Sequence, residues 1–291
     1  MSMNISMSIQ PTATRTPTLR SSALRAACRL IGGDTVLTER YHEAPLKIAK
    51  TFRDETSGAL SLILMDVSPG LMDGDSYAMN ILLQERSHLI LTNQSYTKIH
   101  PAPHHGARTD YRFTLERGAI LEYFPEPTIP YAGSRLEAAT AFQLAEGAAL
   151  LYAEITTPGR THRGEQFQFE SFSSRTEVRR EGRMVAWDHF LLEPAIHNYS
   201  GPGAMENYTH SGVFWIIADR AGEELLHRIR ALLPTPSPEN DILAGASLSA
   251  HQGIAVRMLG HRVWQLEQLR DSIWAEARRW LWHYPPCRLR K

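Results

Sequence analysis

The chain has 291 residues, with 31 Lys and Arg against 31 Asp and Glu, and two cysteines, Cys28 and Cys287. This length allows one large β-rich domain or two small ones; the balanced charge offers no basic excess for nucleic acid and no acidic tail for a basic partner. No apolar run reaches the length of a membrane span, and two isolated cysteines support neither a zinc site nor a disulfide framework, which fits a reducing, cytoplasmic compartment.

The first 22 residues are rich in Ser, Thr and Met and lack acidic groups. Such a composition fits a transit peptide, but its prolines oppose an amphipathic helix, and it has no apolar stretch for secretion. A disordered tail over 1–22 followed by one domain over 23–291 is the reading taken.

From Ala23 to about Phe214 the pattern is mostly strand. "ALRAACRLIGG" and "TVLTERYHEAPLKIAKTF" read as short strands with turns, and "LSLILMDVS" as a buried strand. "SYAMNILLQERSHLILTNQSYTKIH" gives two more, broken at Glu85 and Arg86. In "RTDYRFTLERGAILEYFPEP" Tyr111, Phe113 and Leu115 alternate before a turn at Gly118. "AALLYAEITTPG" is strand-like, and in "QFQFESFSS" Phe167 and Phe169 again alternate with polar residues. "RTEVRREGRMVAWDHFLLEP" reads as a hairpin turning near Glu181 and Gly182. Strands at this density predict stacked or barrel-like antiparallel sheets, with no internal repeat in the sequence.

The last quarter adds helices. After the buried strand "GVFWIIA", Asp219 is placed to cap a helix carrying Leu225, Leu226, Ile229 and Leu232 on one face. "PTPSPEN" breaks it, "GASLSA" and "GIAVRML" read as a strand pair, and a final helix places Leu266, Leu269, Ile273, Ala277 and Trp280 at helical spacing before Pro285 and Pro286.

Four features bear on chemistry. "GRTHRGEQ" has the two glycines of a phosphate-binding loop, but Glu165 replaces its lysine, Gln166 replaces its hydroxyl, and no helix follows. A loop between two strands is the better reading. "HPAPHHG" offers His100, His104 and His105 in a proline-rich connection, either a solvated loop or a weak nickel or zinc site. Glu154 in "LLYAEIT" and Asp188 in "MVAWDHF" are carboxylates inside apolar runs. Each faces out, pairs with an arginine, or meets water and a cation in an internal passage. No nucleophile elbow or catalytic triad is present in the sequence.

Several segments together resemble the urease accessory protein UreD (UreH) family: "SPGLMDGD", "LTNQSYTKIHP", "LEYFPEPTIPYAGS", "GRTHRGEQF", "GASLSAHQGIAVRMLG" and the tryptophan-rich last helix. The likeness runs from about Ala23 to Pro286. The chain departs from the pattern at Pro69, at His100 and in its ending "PPCRLRK". The resemblance implies a mainly β fold, two steeply crossing layers of antiparallel or mixed sheet with peripheral helices, two of them near the C-terminus. It implies a non-enzymatic scaffold that binds apo-urease (UreA, UreB, UreC) and UreF, with the GTPase UreG docked on UreF. It implies nickel in transit rather than a tightly bound cofactor, with Thr97, Glu154 and Asp188 at positions associated with a water-filled passage. Arg160 and Glu165 are then a pair bracing their loop. The residues alone leave open a metal-dependent enzyme using the histidine loop, or a β-sandwich ligand-binding module.

Overall fold

The computed structural model describes residues 20–287, except 202, 236, 238–240 and 250–252. The tail expected over residues 1–22 lies outside them as far as residue 19, and residues 20–22 already belong to the first strand.

The elements in chain order are β1 (Arg20–Ile31), β2 (Asp34–His42), β3 (Leu46–Arg53), β4 (Leu60–Asp66), β5 (Asp75–Leu83), β6 (His88–Asn93), β7 (Thr97–Ile99), β8 (Ala107–Leu115), β9 (Ile120–Phe124) and β10 (Thr128–Pro130). There follow β11 (Arg135–Leu144), β12 (Ala149–Thr156), β13 (Ser171–Arg180), β14 (Arg183–Leu192), β15 (His210–Ile217), α1 (Glu223–Leu232), β16 (Ile242–Ser249), β17 (Gly253–Gly260) and α2 (Val263–Trp282).

The strands form two sheets. The first runs β14-β13-β11-β8-β5-β1-β2; the second runs β16-β17-β15-β12-β9-β6-β4-β3, with β10 and β7 attached beside β12. The expected mainly β fold is what is found, but the antiparallel reading needs correction. β5, β8, β11 and β13 pair in parallel, and so do β4, β6, β9 and β12. The reason lies in the connections. Between β4 and β13 the chain passes back and forth between the two sheets, so the next strand in the same sheet arrives one coil later and points the same way. Parallel neighbours normally need a crossover; here the crossover is a strand of the opposite layer.

The coils stack through their turns. Glu116 N–H donates to the Leu83 carbonyl and Ala145 N–H to the Leu115 carbonyl, both at 2.9 Å. Arg86, Gly118 and Gly147, each three residues past its strand, all take positive φ (59°, 65° and 69°). The structure therefore repeats although the sequence shows no repeat. The repeated element is a backbone turn, which specifies few side chains.

The two layers differ in what covers them. One apolar core fills the space between the sheets, with Leu62, Leu91, Phe113, Leu121 and Phe142 fully buried. A second core lies on the outer face of the second sheet, where Phe124, Leu151, Phe214 and Ile216 meet Leu225, Leu266 and Ile273 of the helices. Strands covered on both faces read as continuous apolar runs, as in "ILEYF" and "ALLYAEIT". The first sheet alternates instead, as in "RTDYRFTL".

Three local readings are corrected. β13 begins at Ser171, so Phe167 and Phe169 belong to the preceding loop; Phe167 has φ 52° and its N–H donates to the Pro158 carbonyl at 2.7 Å. Asp219 does not cap α1: Gly222 holds that position, and Asp219 accepts from Arg180 Nη1 at 2.9 Å. On α2, Trp274 rather than Trp280 is deeply buried, and the buried face also carries Arg270 and Arg278. The expected hairpin at Glu181 and Gly182 is present, with both residues at positive φ (47° and 75°), the requirement of a two-residue turn of mirror-image type.

Candidate functional site

Between the sheets the apolar core gives way to a polar seam with three neighbouring cavities. The first, of about 60 Å³, is walled by Ser68, Tyr77, Asn93, Tyr96, Thr97, Tyr111 and Tyr123, among others. The second, also about 60 Å³, shares Asn93, Thr97, Tyr111 and Tyr123 with it and continues to Glu126, Thr140, Tyr152, Glu154 and Ser174. The third, about 20 Å³, shares Glu154, Thr156 and Ser174 with the second and ends at Asp188, Phe190 and Arg257. Each exceeds the volume that one water needs, roughly 10–15 Å³, and each has polar walls, so water can occupy them.

Thr97 stands in the wall common to the first two cavities and Glu154 in the wall common to the last two, while Asp188 lines the last. Glu154 lies on β12 and reaches across the gap, where the Ser174 hydroxyl of β13 donates to its carboxylate at 3.2 Å. Burial raises the Glu154 pKa, and the nearby charge of Asp188 adds to that, against hydrogen bonds from the Tyr152 and Ser174 hydroxyls. Asp188 on β14 accepts from Arg257 of β17 at 2.6 Å. It therefore lines a cavity and pairs with an arginine at once, two readings the sequence offered as alternatives.

Sequence reasoning missed further polar walls. Glu126, in "YFPEP", is buried and lines the second cavity. Tyr123 on β9 and Tyr152 on β12 belong to the buried core and line the seam as well. Burial pushes both phenols well above their ordinary value.

The histidine loop is organised differently. Its backbone is held by Asp73, whose carboxylate accepts from the N–H of His105 at 2.8 Å, Gly106 at 2.9 Å and His104 at 3.1 Å. His104 and His105 are exposed, with ring centroids 6.2 Å apart. The His100 ring meets Tyr131 edge-on at 5.0 Å, and its Nε2 lies 3.2 Å from the Pro69 carbonyl oxygen. Among the described residues, no group of three or more His, Cys, Asp and Glu side chains is arranged to hold a metal ion. "SPGLMDGD" thus acts through Asp73 as a clamp on this loop's backbone.

The "GRTHRGE" loop is closed by the pair expected for it. Arg160 Nε donates to Glu165 Oε2 at 2.7 Å, and a second contact joins Nη2 to Oε1. The guanidinium also lies 4.1 Å from the centre of the Tyr131 ring. Gly159, at φ 136°, packs so close that a Cβ there would sit 2.9 Å from the Glu165 carbonyl oxygen. Glu165 thus faces its own loop arginine.

A second charged cluster, also missed, lies under α2. Glu122 of β9 is fully buried and is met by His88 Nε2 at 2.6 Å, by Arg278 Nη1 and by the Trp274 indole N–H. Arg278, itself fully buried, also reaches Asp54 at 2.9 Å. Burial alone would raise the Glu122 pKa, but the His88 hydrogen bond and the charges of His88 and Arg278 hold it below the ordinary glutamate range. An acidic residue inside the apolar run "ILEYF" is the signal that marks it, the same signal that singled out Glu154.

A family model described as the UreD urease accessory protein matches residues 21–291. A "Urease accessory protein UreD" of Acetivibrio thermocellus is 32% identical over 250 residues, covering 86% of this chain and 94% of the relative. One from a Bacillus species (strain TB-90) is 30% identical, covering 84% and 89%. One from Flavobacterium johnsoniae is 32% identical, covering 79% and 82%. Among the described residues, no helix is long and apolar enough to cross a membrane.

Proposed function

The chain belongs to the UreD urease accessory protein family, and on that premise we propose that it is the non-enzymatic scaffold through which nickel reaches apo-urease. In this reading it binds urease and UreF, UreG joins through UreF and hydrolyses the GTP, and all of this takes place in the cytoplasm. Nickel is cargo, held briefly and passed on. The observation that carries the reading is the row of cavities between the sheets, with Thr97 and Glu154 in their common walls and Asp188 lining the last.

The chemistry suits a borderline divalent cation. Carboxylate, hydroxyl and water oxygens at successive positions bind such an ion without the tetrahedral or octahedral cage that would trap it. His100, His104 and His105 lie outside the seam and add at most weak uptake at the surface.

Co-expression with urease and its other accessory proteins tests this. Glu154→Gln with Asp188→Asn is expected to leave the complex assembled while the urease produced has low nickel content and low activity. Gln and Asn keep the volume of the two carboxylates, so these substitutions are expected to leave the fold intact. Urease fully loaded with nickel by an assembled variant complex would overturn the passage. Loss of soluble protein would assign the carboxylates to the fold instead.

A further inference from the structure

The third cavity ends at an ion pair that joins the two sheets. Arg257, on β17 of the second sheet, reaches Asp188, on β14 at the edge of the first, with Nη2 2.6 Å from Oδ1. The side chains differ in freedom: Arg257 is 54% exposed and Asp188 only 13%. A guanidinium stays protonated at any working pH, so it cannot release Asp188 by losing its charge; it can only move. It has room to do so. Its cross-strand neighbour on the edge strand β16 is Gly245, and a Cβ built there meets nothing within 4 Å. Asp188 has no such latitude, because its strand pairs through Thr176 and its carboxylate lines the cavity that Glu154 shares.

We propose that Arg257 is a displaceable plug at this end of the cavity row: it neutralises Asp188 until a divalent cation takes its place. This rests on the passage reading above. With Arg257 on Asp188, a cation arriving at Glu154 meets a fixed positive charge and a carboxylate already occupied. When the guanidinium swings out over the space beside Gly245, Glu154 and Asp188 both face one small cavity, and a divalent ion gains two anionic oxygen donors. The return of Arg257 then competes the ion off, which favours release over retention. The arginine therefore sets how tightly the carboxylates hold nickel.

Nickel binding to the full-length chain, measured by calorimetry and by metal content after dialysis, tests this. Arg257→Met keeps much of the side chain's bulk and removes its charge. It is expected to bind nickel about twofold to fivefold more tightly than the unaltered chain, the scale on which partly exposed ion pairs contribute. Glu154→Gln with Asp188→Asn is expected to bind more weakly than the unaltered chain. Equal affinity of Arg257→Met and the unaltered chain, with weaker binding by the carboxylate variant, would overturn the plug and leave the passage standing. Binding by Arg257→Met as weak as that of the carboxylate variant would make Arg257 a support of the site and overturn the plug. No difference between the unaltered chain and the carboxylate variant would remove the passage reading, and the plug with it. If Arg257→Met is insoluble, Arg257→Gln, which also removes the charge and stays polar at this partly exposed position, carries the same comparison. Tighter binding than the unaltered chain supports the plug, and equal binding overturns it.

Discussion

At the scale of single residues, burial decides which titrating groups matter. His210 opens β15 with 4% exposure, and its Nδ1 lies 2.9 Å from the Thr209 hydroxyl. Burial, and then the nearby His261, lower its pKa from the ordinary 6.5 to about 4. The folded chain thus keeps this ring neutral where the unfolded chain would protonate it. That contribution to stability is present above pH 6.5 and is lost as pH falls from there toward 4. Its full size is about 3 kcal/mol. Urea midpoints are expected to fall between pH 7 and pH 4.5, and His210→Gln is expected to flatten that part of the profile; parallel profiles would show that another group is responsible. Glu122 acts in the same direction but lower down, since its depressed pKa gives a contribution lost only as pH falls below the ordinary glutamate range. The sequence signalled Glu154 and Asp188 because a charge in an apolar run needs an explanation. The identical signal at Glu122 resolves into a buried pair with Arg278, whose partner lies far along the chain, on α2. A one-dimensional pattern marks such residues without telling a lined cavity from a satisfied core charge.

At the scale of elements, strand positions were legible and their partners were not. Alternation and apolar runs located the strands that carry the site, because side-chain period is local. Pairing is not local: each parallel neighbour is separated by a strand of the other sheet, and nothing in β8 announces β5 and β11 as its neighbours. The same limit hid the role of α2. Arg278 falls on its buried face, where a charged residue normally reads as a break in the apolar stripe. Its guanidinium ties the helix to Glu122 on β9 and to Asp54 in the turn after β3, so one side chain fastens α2 to two separate segments of the second sheet. Arg278→Met removes one partner of a buried pair and leaves Glu122 with fewer donors. It is expected to lower unfolding stability by about 3–5 kcal/mol. Urea denaturation measures this; a loss below about 1 kcal/mol, the scale of an exposed pair, would mean that the cluster is solvated in solution.

At the scale of the whole molecule, the two-layer coil explains why a polar seam exists at all. The second sheet is sealed by helices on its outer face and by the first sheet on its inner face, so polar groups in its strands need partners or water. Thr, Ser and Tyr from both layers meet between the sheets, and the cavities follow them from Tyr96 to Asp188. If the cavities act as one route, space is as necessary as the carboxylates. Ser174 tests space alone, because it stands in the wall common to the second and third cavities and is 7% exposed. Ser174→Leu puts an apolar branch into that junction, at a cost of about 1–3 kcal/mol of stability from overpacking. Ser174→Ala removes the same hydroxyl, and with it the hydrogen bond to Glu154, but leaves the junction open. With complex assembly checked by co-purification, Ser174→Leu is expected to yield urease poor in nickel, and Ser174→Ala urease close to fully loaded. If both variants load urease fully, the junction is not on the route. If both fail equally, the hydroxyl matters as a ligand or as the partner of Glu154, and the width of the seam does not decide delivery.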